Sequence, residues 1–487
     1  MQWLDIVLKG GLPRGRLHEI LGPPGAGKTT LGLQFLLDGV YNNESCLFVT
    51  LAQTEQELLD VAASHEMDLT GITIVDLVGV NEGGEPEQDY TALDPAEVEL
   101  GESFQRITEA VKEHKPKRVV IDSMTELSML AHEPVRFRRQ VMALKQFLMS
   151  QNCTTYLIAV SSSSDAQMQT LCHGVIEMDR LNPEYGKERR QMRVVKMRGV
   201  EFHGGYHDYD ILKGGLVVWP RLVASNHRQD FEREPLGCGV PELDHLLAGG
   251  LDRGTTGLII GPSGVGKSSV CKQYAKQAAE RGEYFVYYSF DERLETLHDR
   301  AMAMGLDLKK LEAERKCSVE QIDPGSISPG EFMQRVQRHT LKFNAKVVII
   351  DSLNGYLAAM PGEKFLIIQM HEMLTYLSRM GVLSLIVISQ HGILATDLNP
   401  PIDLSYLADA ILFLRYFEHG GEVRRALSVV KKRGAPHEHT IRELKVIGAG
   451  IDVGEPLEEF EGVLSGEPRF IGRSDDLMES KRGKSAD

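Results

Sequence analysis

The sequence predicts an α/β protein made of two tandem copies of one domain, each a mostly parallel sheet flanked by helices. Three observations carry this prediction. An internal repeat runs through most of the chain, a glycine-rich loop of the same form opens each copy, and short apolar runs alternate with helical stretches.

The repeat comes first. Residues 4–30 read LDIVLKGGLPRGRLHEILGPPGAGKTT and residues 243–269 read LDHLLAGGLDRGTTGLIIGPSGVGKSS, in register at a separation of 239. The match resumes twice in the same order. VVIDSMTEL around Asp122 pairs with VIIDSLNGY around Asp351, and VVKMRG ending at Gly199 pairs with VVKKRG ending at Gly434. Ordered blocks of this kind mark a duplicated domain. The separation falls from 239 at the loops to 229 at the aspartates, so the first copy carries ten more residues between them. The acidic, Gly- and Pro-containing stretch 80–101 is expected to hold them as a surface loop. The expected divisions are a first domain at 1–224, a second at 225–465 and a flexible polar tail at 466–487, with a linker near 222–236.

The β-rich runs follow. RLHEILG, SCLFVTL, RVVIDS and TYLIAV in the first copy, and TGLIIG, YFVYYSF, KVVIIDS and LSLIVIS in the second, are near-continuous apolar segments bounded by helical sequence. Such runs fit strands of a parallel sheet covered on both faces.

Composition sets the outer limits. At 487 residues, with 42% hydrophobic and 25% charged side chains, the chain suits a globular protein with more than one core. No apolar run approaches the roughly 18–20 residues that span a bilayer. The N-terminus, Met-Gln-Trp-Leu-Asp, lacks the basic-then-apolar layout of a signal peptide, so a cytoplasmic location without membrane association is expected. The six cysteines have no C-x-x-C spacing and read as buried free thiols. A net charge of −15 argues against a nucleic-acid partner, because an acidic surface repels a polyphosphate backbone.

The glycine-rich loops carry the chemistry. Gly22-Pro23-Pro24-Gly25-Ala26-Gly27-Lys28-Thr29, continued by Thr30, and Gly261-Pro262-Ser263-Gly264-Val265-Gly266-Lys267-Ser268, continued by Ser269, both fit G-x-x-x-x-G-K-[ST]. Each follows an apolar strand and leads into a helical run. The glycines let backbone N–H groups curl around phosphates at the positive end of a helix. Lys28 and Lys267 are expected to reach the β- and γ-phosphates of ATP, and Thr29 and Ser268 to ligate Mg²⁺. Asp122 and Asp351 end hydrophobic strands ahead of a serine, the position from which a carboxylate holds magnesium through water.

With tandem loops, GGLPRG before the first of them and paired K-x-R-G segments, the chain resembles the KaiC family, the two-domain ATPases and autokinases of the cyanobacterial clock and their bacterial relatives. The resemblance covers residues from about 4 to about 470. It implies two RecA-like domains, a homo-hexamer with ATP between neighbouring subunits, and regulatory or signalling protein partners. It also implies that Lys196, Arg198 and His203 project into the adjacent subunit's first-domain site. Lys431, Arg433 and His437 would do the same for the second domain. Cations placed at the γ-phosphate stabilise charge that shifts during transfer.

Such ATPases place two adjacent acidic residues after the second strand, one of which polarises the attacking water. The second copy supplies Asp291-Glu292, whereas the first has Ala52-Gln53, neither of which accepts a proton. Catalysis is therefore expected from Asp291 and Glu292 with Lys267, Lys431 and Arg433. The first domain is expected to bind ATP, hydrolyse it weakly and use it to join subunits. The family's autophosphorylated Ser-Thr pair aligns with Ser405-Tyr406, making Ser405 the candidate acceptor of a serine/threonine autokinase; a polar turn residue is the other reading. Gln390 resembles a γ-phosphate-sensing glutamine. The histidines at 203, 207, 437 and 439 lack convincing metal spacing. Two other functions share the fold: a DNA-stimulated RecA-like ATPase, which the acidic charge and the lack of an added DNA-binding domain disfavour, and a scaffold whose nucleotides serve assembly only.

Overall fold

The apolar runs of the sequence become the central strands of two nine-stranded sheets in the computed structural model. The structure describes residues 2–78, 95–131, 133–160, 166–182, 186–323, 325–359, 365–390, 406–419, 421–434, 436–448, 450–463 and 469–470. Contacts divide the chain into Met1–Arg221 and Leu222–Asp487.

In the first unit the strands are β1 (Leu17–Gly22), β2 (Cys46–Thr50), β3 (Ile72–Asp76), β4 (Arg118–Asp122), β5 (Thr154–Val160), β6 (Gly174–Leu181), β7 (Arg189–Met197), β8 (His207–Leu212) and β9 (Gly215–Trp219). Their order is β3-β2-β4-β5-β1-β6-β7-β8-β9. The pairings from β3 to β6 are parallel and those from β6 to β9 antiparallel.

The second unit opens with a short antiparallel pair, β10 (Pro235–Leu236) with β11 (Leu251–Asp252). Its main strands are β12 (Thr256–Gly261), β13 (Phe285–Ser289), β14 (Cys317–Gln321), β15 (Val347–Asp351), β16 (Leu383–Ser389), β17 (Ala410–His419), β18 (Glu422–Lys432), β19 (Ile441–Ile447) and β20 (Gly450–Pro456). The order β14-β13-β15-β16-β12-β17-β18-β19-β20 repeats that of the first unit strand for strand.

Successive side chains of a strand face opposite sides of its sheet, so each unit has two cores. In the first, Phe48, Val120 and Ile158 pack with Leu31 and Phe35 on one face. Leu47, Val49, Ile121 and Leu157 pack with Ile107 and Leu144 on the other. All six cysteines are buried free thiols. Among the described residues no helix is long and apolar enough to cross a membrane.

Three stretches named in the sequence are described further by the structure. Within the stretch read as a surface loop, residues 95–101 form the first turns of the helix Pro95–His114; residues 79–94 lie outside the described part. Proline is favoured at the first helical position because it has no N–H to leave unpaired there. The polar linker near 222–236 is anchored: Leu222 and Ala224 are buried in the second unit's core. Within the expected tail, Arg469–Phe470 pairs with Phe460–Glu461 as a short antiparallel ladder, and residues 471–487 lie outside the described part.

Candidate functional site

Each glycine-rich loop leaves a central strand at its carboxyl end, where open α/β sheets bind ligands. Lys28 and Lys267 begin the helices Lys28–Tyr41 and Lys267–Glu280. The preceding Gly27 and Gly266 have φ of 88° and 112°, a left-handed conformation that side chains resist. The loops are therefore wound so that backbone N–H groups converge at a helix N-terminus.

The two lysines are held alike. Lys28 Nζ donates to Gly22 O at 2.8 Å and Pro23 O at 2.9 Å; Lys267 Nζ donates to Gly261 O at 2.9 Å and Pro262 O at 2.7 Å. Burial lowers both ammonium pKa values, against the pull of Asp122 on Lys28 and of Asp351 on Lys267, and Lys267 falls to about 8.

The strand-end aspartates meet the loop hydroxyls. Thr29 Oγ1 donates to Asp122 Oδ2 at 2.7 Å. Asp351 takes a hydrogen bond from Ser268 and one of 2.5 Å from Tyr287. Burial raises both carboxyls above the usual range, while these hydrogen bonds pull the other way. The peptide bonds Asp122–Ser123 and Asp351–Ser352 are both cis. A hydroxyl beside a carboxylate is an all-oxygen donor set of the kind magnesium takes alongside phosphates and water. Among the described residues no cluster of three His, Cys, Asp or Glu side chains is arranged to hold a metal alone.

In the second unit Lys267, Ser268 and Asp351 line a cleft of about 600 Å³ together with Asp291, Glu292, Arg300, Ser352, Asn354 and Gln390. The turn after β13 aims the acidic pair. Phe290 N donates to Asp351 O at 2.7 Å, and Ser289 Oγ accepts from Glu292 N at 3.2 Å. Ser352 Oγ then fixes Asp291 at 2.5 Å. Glu292 lies between two cations: Arg300 NH1 at 2.7 Å from Oε1 and Lys272 Nζ at 3.7 Å from Oε2. Lys272 lies one helical turn beyond Ser268 on the same face. Burial lowers its pKa, and Glu292 is the first of the charges opposing that shift.

The first unit keeps the turn and loses the charges. Leu51 N donates to Asp122 O at 2.7 Å, and Thr50 Oγ1 accepts from Gln53 N at 3.2 Å, the same bonds that shape the acidic turn. Gln53 thus stands where Glu292 does, and Ala52 where Asp291 does. At the repeat separation of 239, Leu33 replaces Lys272 and Val61 replaces Arg300. The carboxylate and both of its cationic supports are absent from these positions together.

The basic residues near the strand ends are not brought to their own domain's loop. Lys196 bonds Gln169 O, and Arg198 NH2 donates to Thr170 O at 3.0 Å. Arg433 NH2 donates to Tyr406 O at 3.3 Å, and His437 stacks edge-on with His439 at 4.5 Å. His203 N donates to Val7 O at 2.8 Å. Lys431 ends β18 with Lys432, and like Arg433 and His437 it is not among the residues lining the cleft. Ser405 and the serines at 161–164 lie outside the described residues. Lys272 and Arg300 were not singled out in the sequence, although comparison of positions 33 with 272 and 61 with 300 carried the signal.

A family model described as "ATPase: KaiC" matches residues 1–223 and 236–458. The chain is similar to "Circadian clock oscillator protein KaiC" of Parathermosynechococcus lividus, 26% identical over 480 residues, covering 97% of this chain and 87% of that one. It is also similar to "Circadian clock protein KaiC3" of a Synechocystis species, 26% identical over 494 residues, covering 97% and 94%. "Circadian clock oscillator protein KaiC" of Prochlorococcus marinus is 26% identical over 485 residues, covering 98% and 96%.

Proposed function

This chain belongs to the KaiC ATPase family, and from that premise we propose that it is a hexameric ATP-driven switch whose second domain hydrolyses ATP while its first domain mainly holds it. The observation that carries the proposal is the paired position after the second strand: Glu292 between Lys272 and Arg300 in one unit, and in the other Gln53, with Leu33 and Val61 at the repeat positions of the two cations. A carboxylate can orient a water and take its proton; an amide can do only the first. Losing a positioned general base costs about 10²–10⁴-fold in rate.

Lys267 and the loop amides grip the phosphates, and Glu292 addresses a water beside Asp351. Magnesium, bound with ATP by Ser268 and Asp351, supplies charge neutralisation at the phosphates. Lys431, Arg433 and His437 of each chain then serve the second-domain site of a neighbour, and Lys196, Arg198 and His203 serve the first. Nucleotide in the first ring joins subunits. Ser405 accepts phosphate as an autokinase substrate, and the protein signals from the cytoplasm to regulatory protein partners rather than to nucleic acid. Phosphopeptide mapping after incubation with Mg·ATP tests the kinase part; no phosphate anywhere in 395–410 discards it.

The test of the whole is ATP turnover by Lys28→Ala and Lys267→Ala. The proposal expects the second variant to lose nearly all activity at every protein concentration, and the first to keep second-site turnover only at protein concentrations high enough to hold its subunits together. The reverse pattern would exchange the roles of the domains.

A further inference from the structure

Tyr287 lies on β13 with its side chain fully buried, behind the second cleft rather than in its lining. In the parallel ladder it stands opposite Ile349, two residues before Asp351, so the three side chains share one face of the sheet. Its hydroxyl donates to Asp351 Oδ2 at 2.5 Å. Ser268 is the second side-chain donor to that carboxylate. The first unit keeps the register and changes the chemistry. Phe48 is the repeat counterpart of Tyr287 at the separation of 239, pairs with Val120 two residues before Asp122, and is also fully buried. A phenyl ring donates nothing, and among the described residues Thr29 is the one side-chain donor to Asp122.

A hydroxyl that gives its proton to a carboxylate keeps its oxygen lone pairs for a cation, so Ser268 and Thr29 both suit magnesium. The two sites differ in how firmly the neighbouring carboxylate is held. The last torsion of an aspartate is broad, and a single hydrogen bond leaves it room to turn. Ser268 reaches Asp351 from the helix that follows the loop, whereas Tyr287 reaches it from a neighbouring strand. Two donors on separate rigid elements constrain the carboxylate of Asp351; one donor constrains that of Asp122.

We infer that Tyr287 is a positioning residue that fixes the Asp351 carboxylate and gives the second site a higher affinity for magnesium than the first. The inference rests on the second cleft being an ATP site, as proposed above. Two opposed effects set its direction. A donor draws charge from the carboxylate, which weakens the pull on a cation. It also removes freedom that the carboxylate otherwise loses when the cation binds. Loss of such an outer hydrogen-bond partner costs about 10–100-fold in metal affinity, so the constraint outweighs the charge drawn off. Tyr287, Lys272 and Arg300 are all apolar in the first copy, as Phe48, Leu33 and Val61. Support for the metal-holding carboxylate and for the water-directing one therefore differs between the copies together.

The probe is magnesium with the β,γ-imido analogue of ATP, which is not hydrolysed. The analogue is titrated by calorimetry into the full chain carrying Lys28→Ala, so that only the second site takes nucleotide. The quantity read is the gain in nucleotide affinity when excess magnesium replaces EDTA, at one subunit concentration throughout. Tyr287→Phe on that background is expected to leave affinity in EDTA within about twofold and to cut the gain about tenfold. An unaltered gain overturns the inference, and equal losses with and without magnesium overturn it by assigning Tyr287 to packing alone. Phe48→Tyr in a Lys267→Ala chain gives the reciprocal reading. The first site's gain is expected to rise about threefold, and no rise in a chain that melts at its parent's temperature also overturns the inference. A Lys28→Ala parent that binds no nucleotide refutes the reading of the second cleft itself, whereas an unaltered gain in Tyr287→Phe leaves that reading standing.

Discussion

Lys272 Nζ stands 3.7 Å from Glu292 Oε2 with its side chain only 1% exposed, so a fully buried ammonium faces the carboxylate assigned to water. Burying such a charge is tolerated when an opposite charge answers it. Here the answering group also lines the nucleotide cleft. On the proposed function Lys272 acts as a positioning residue, its ammonium facing one oxygen of Glu292 while Arg300 bonds the other.

Lys272→Met is expected to lower kcat for ATP about tenfold at nearly unchanged KM, because Glu292 keeps Arg300 and loses one constraint on its direction. Steady-state kinetics check this. A raised KM with unaltered kcat would assign Lys272 to nucleotide binding instead.

Gln53→Glu, made in a Lys267→Ala chain so that only the first site acts, is expected to raise turnover about tenfold. The backbone there already holds the acidic-turn geometry through Thr50. The gain stays below that of the second site because Leu33 and Val61 offer no cation. Unaltered turnover would show that water activation in this domain depends on something other than a base at position 53.

The position of Lys267 predicts a pH dependence of binding. Its pKa in the free protein is about 8, lowered by burial. Bound phosphates favour the charged form, so nucleotide raises that pKa, and binding takes up a proton as pH rises through 8. Affinity at the second site therefore weakens above about pH 8. Calorimetry of Lys28→Ala in buffers of different ionisation enthalpy measures the uptake, and Lys267→Met is expected to abolish it. Proton release on binding would reverse the sign and refute the assignment.

Assembly separates the two sites as well. With ATP present, Lys28→Ala is expected to fall from hexamers to smaller species in mass photometry, while Lys267→Ala stays assembled. Hexamers persisting in Lys28→Ala would remove the joining role from the first domain's nucleotide.

What the sequence disclosed follows from how local each feature is. The phosphate loops, Asp122, Asp351 and the acidic pair each sit in one short segment next to a recognisable strand, and the repeat supplied a second copy as a check. Parallel strands buried on both faces are apolar throughout, so β1, β2, β4, β5 and their twins were legible as runs. Among the antiparallel extensions, β7, β18 and β19 interleave charged with apolar residues and are buried only in part, so they present no continuous apolar run. Lys272 and Arg300 escaped for another reason. They reach Glu292 from two different helices, so only packing joins them. The helix at residues 95–101 was hidden by acidic and proline content that reads as loop, although both are favoured in a first turn.

Steady-state ATP turnover by Glu292→Gln tests the central claim most directly. If water is activated only in the second domain, turnover falls at least about 100-fold while nucleotide remains bound at both sites. Turnover within about threefold of wild type would contradict the claim and move hydrolysis to the first domain.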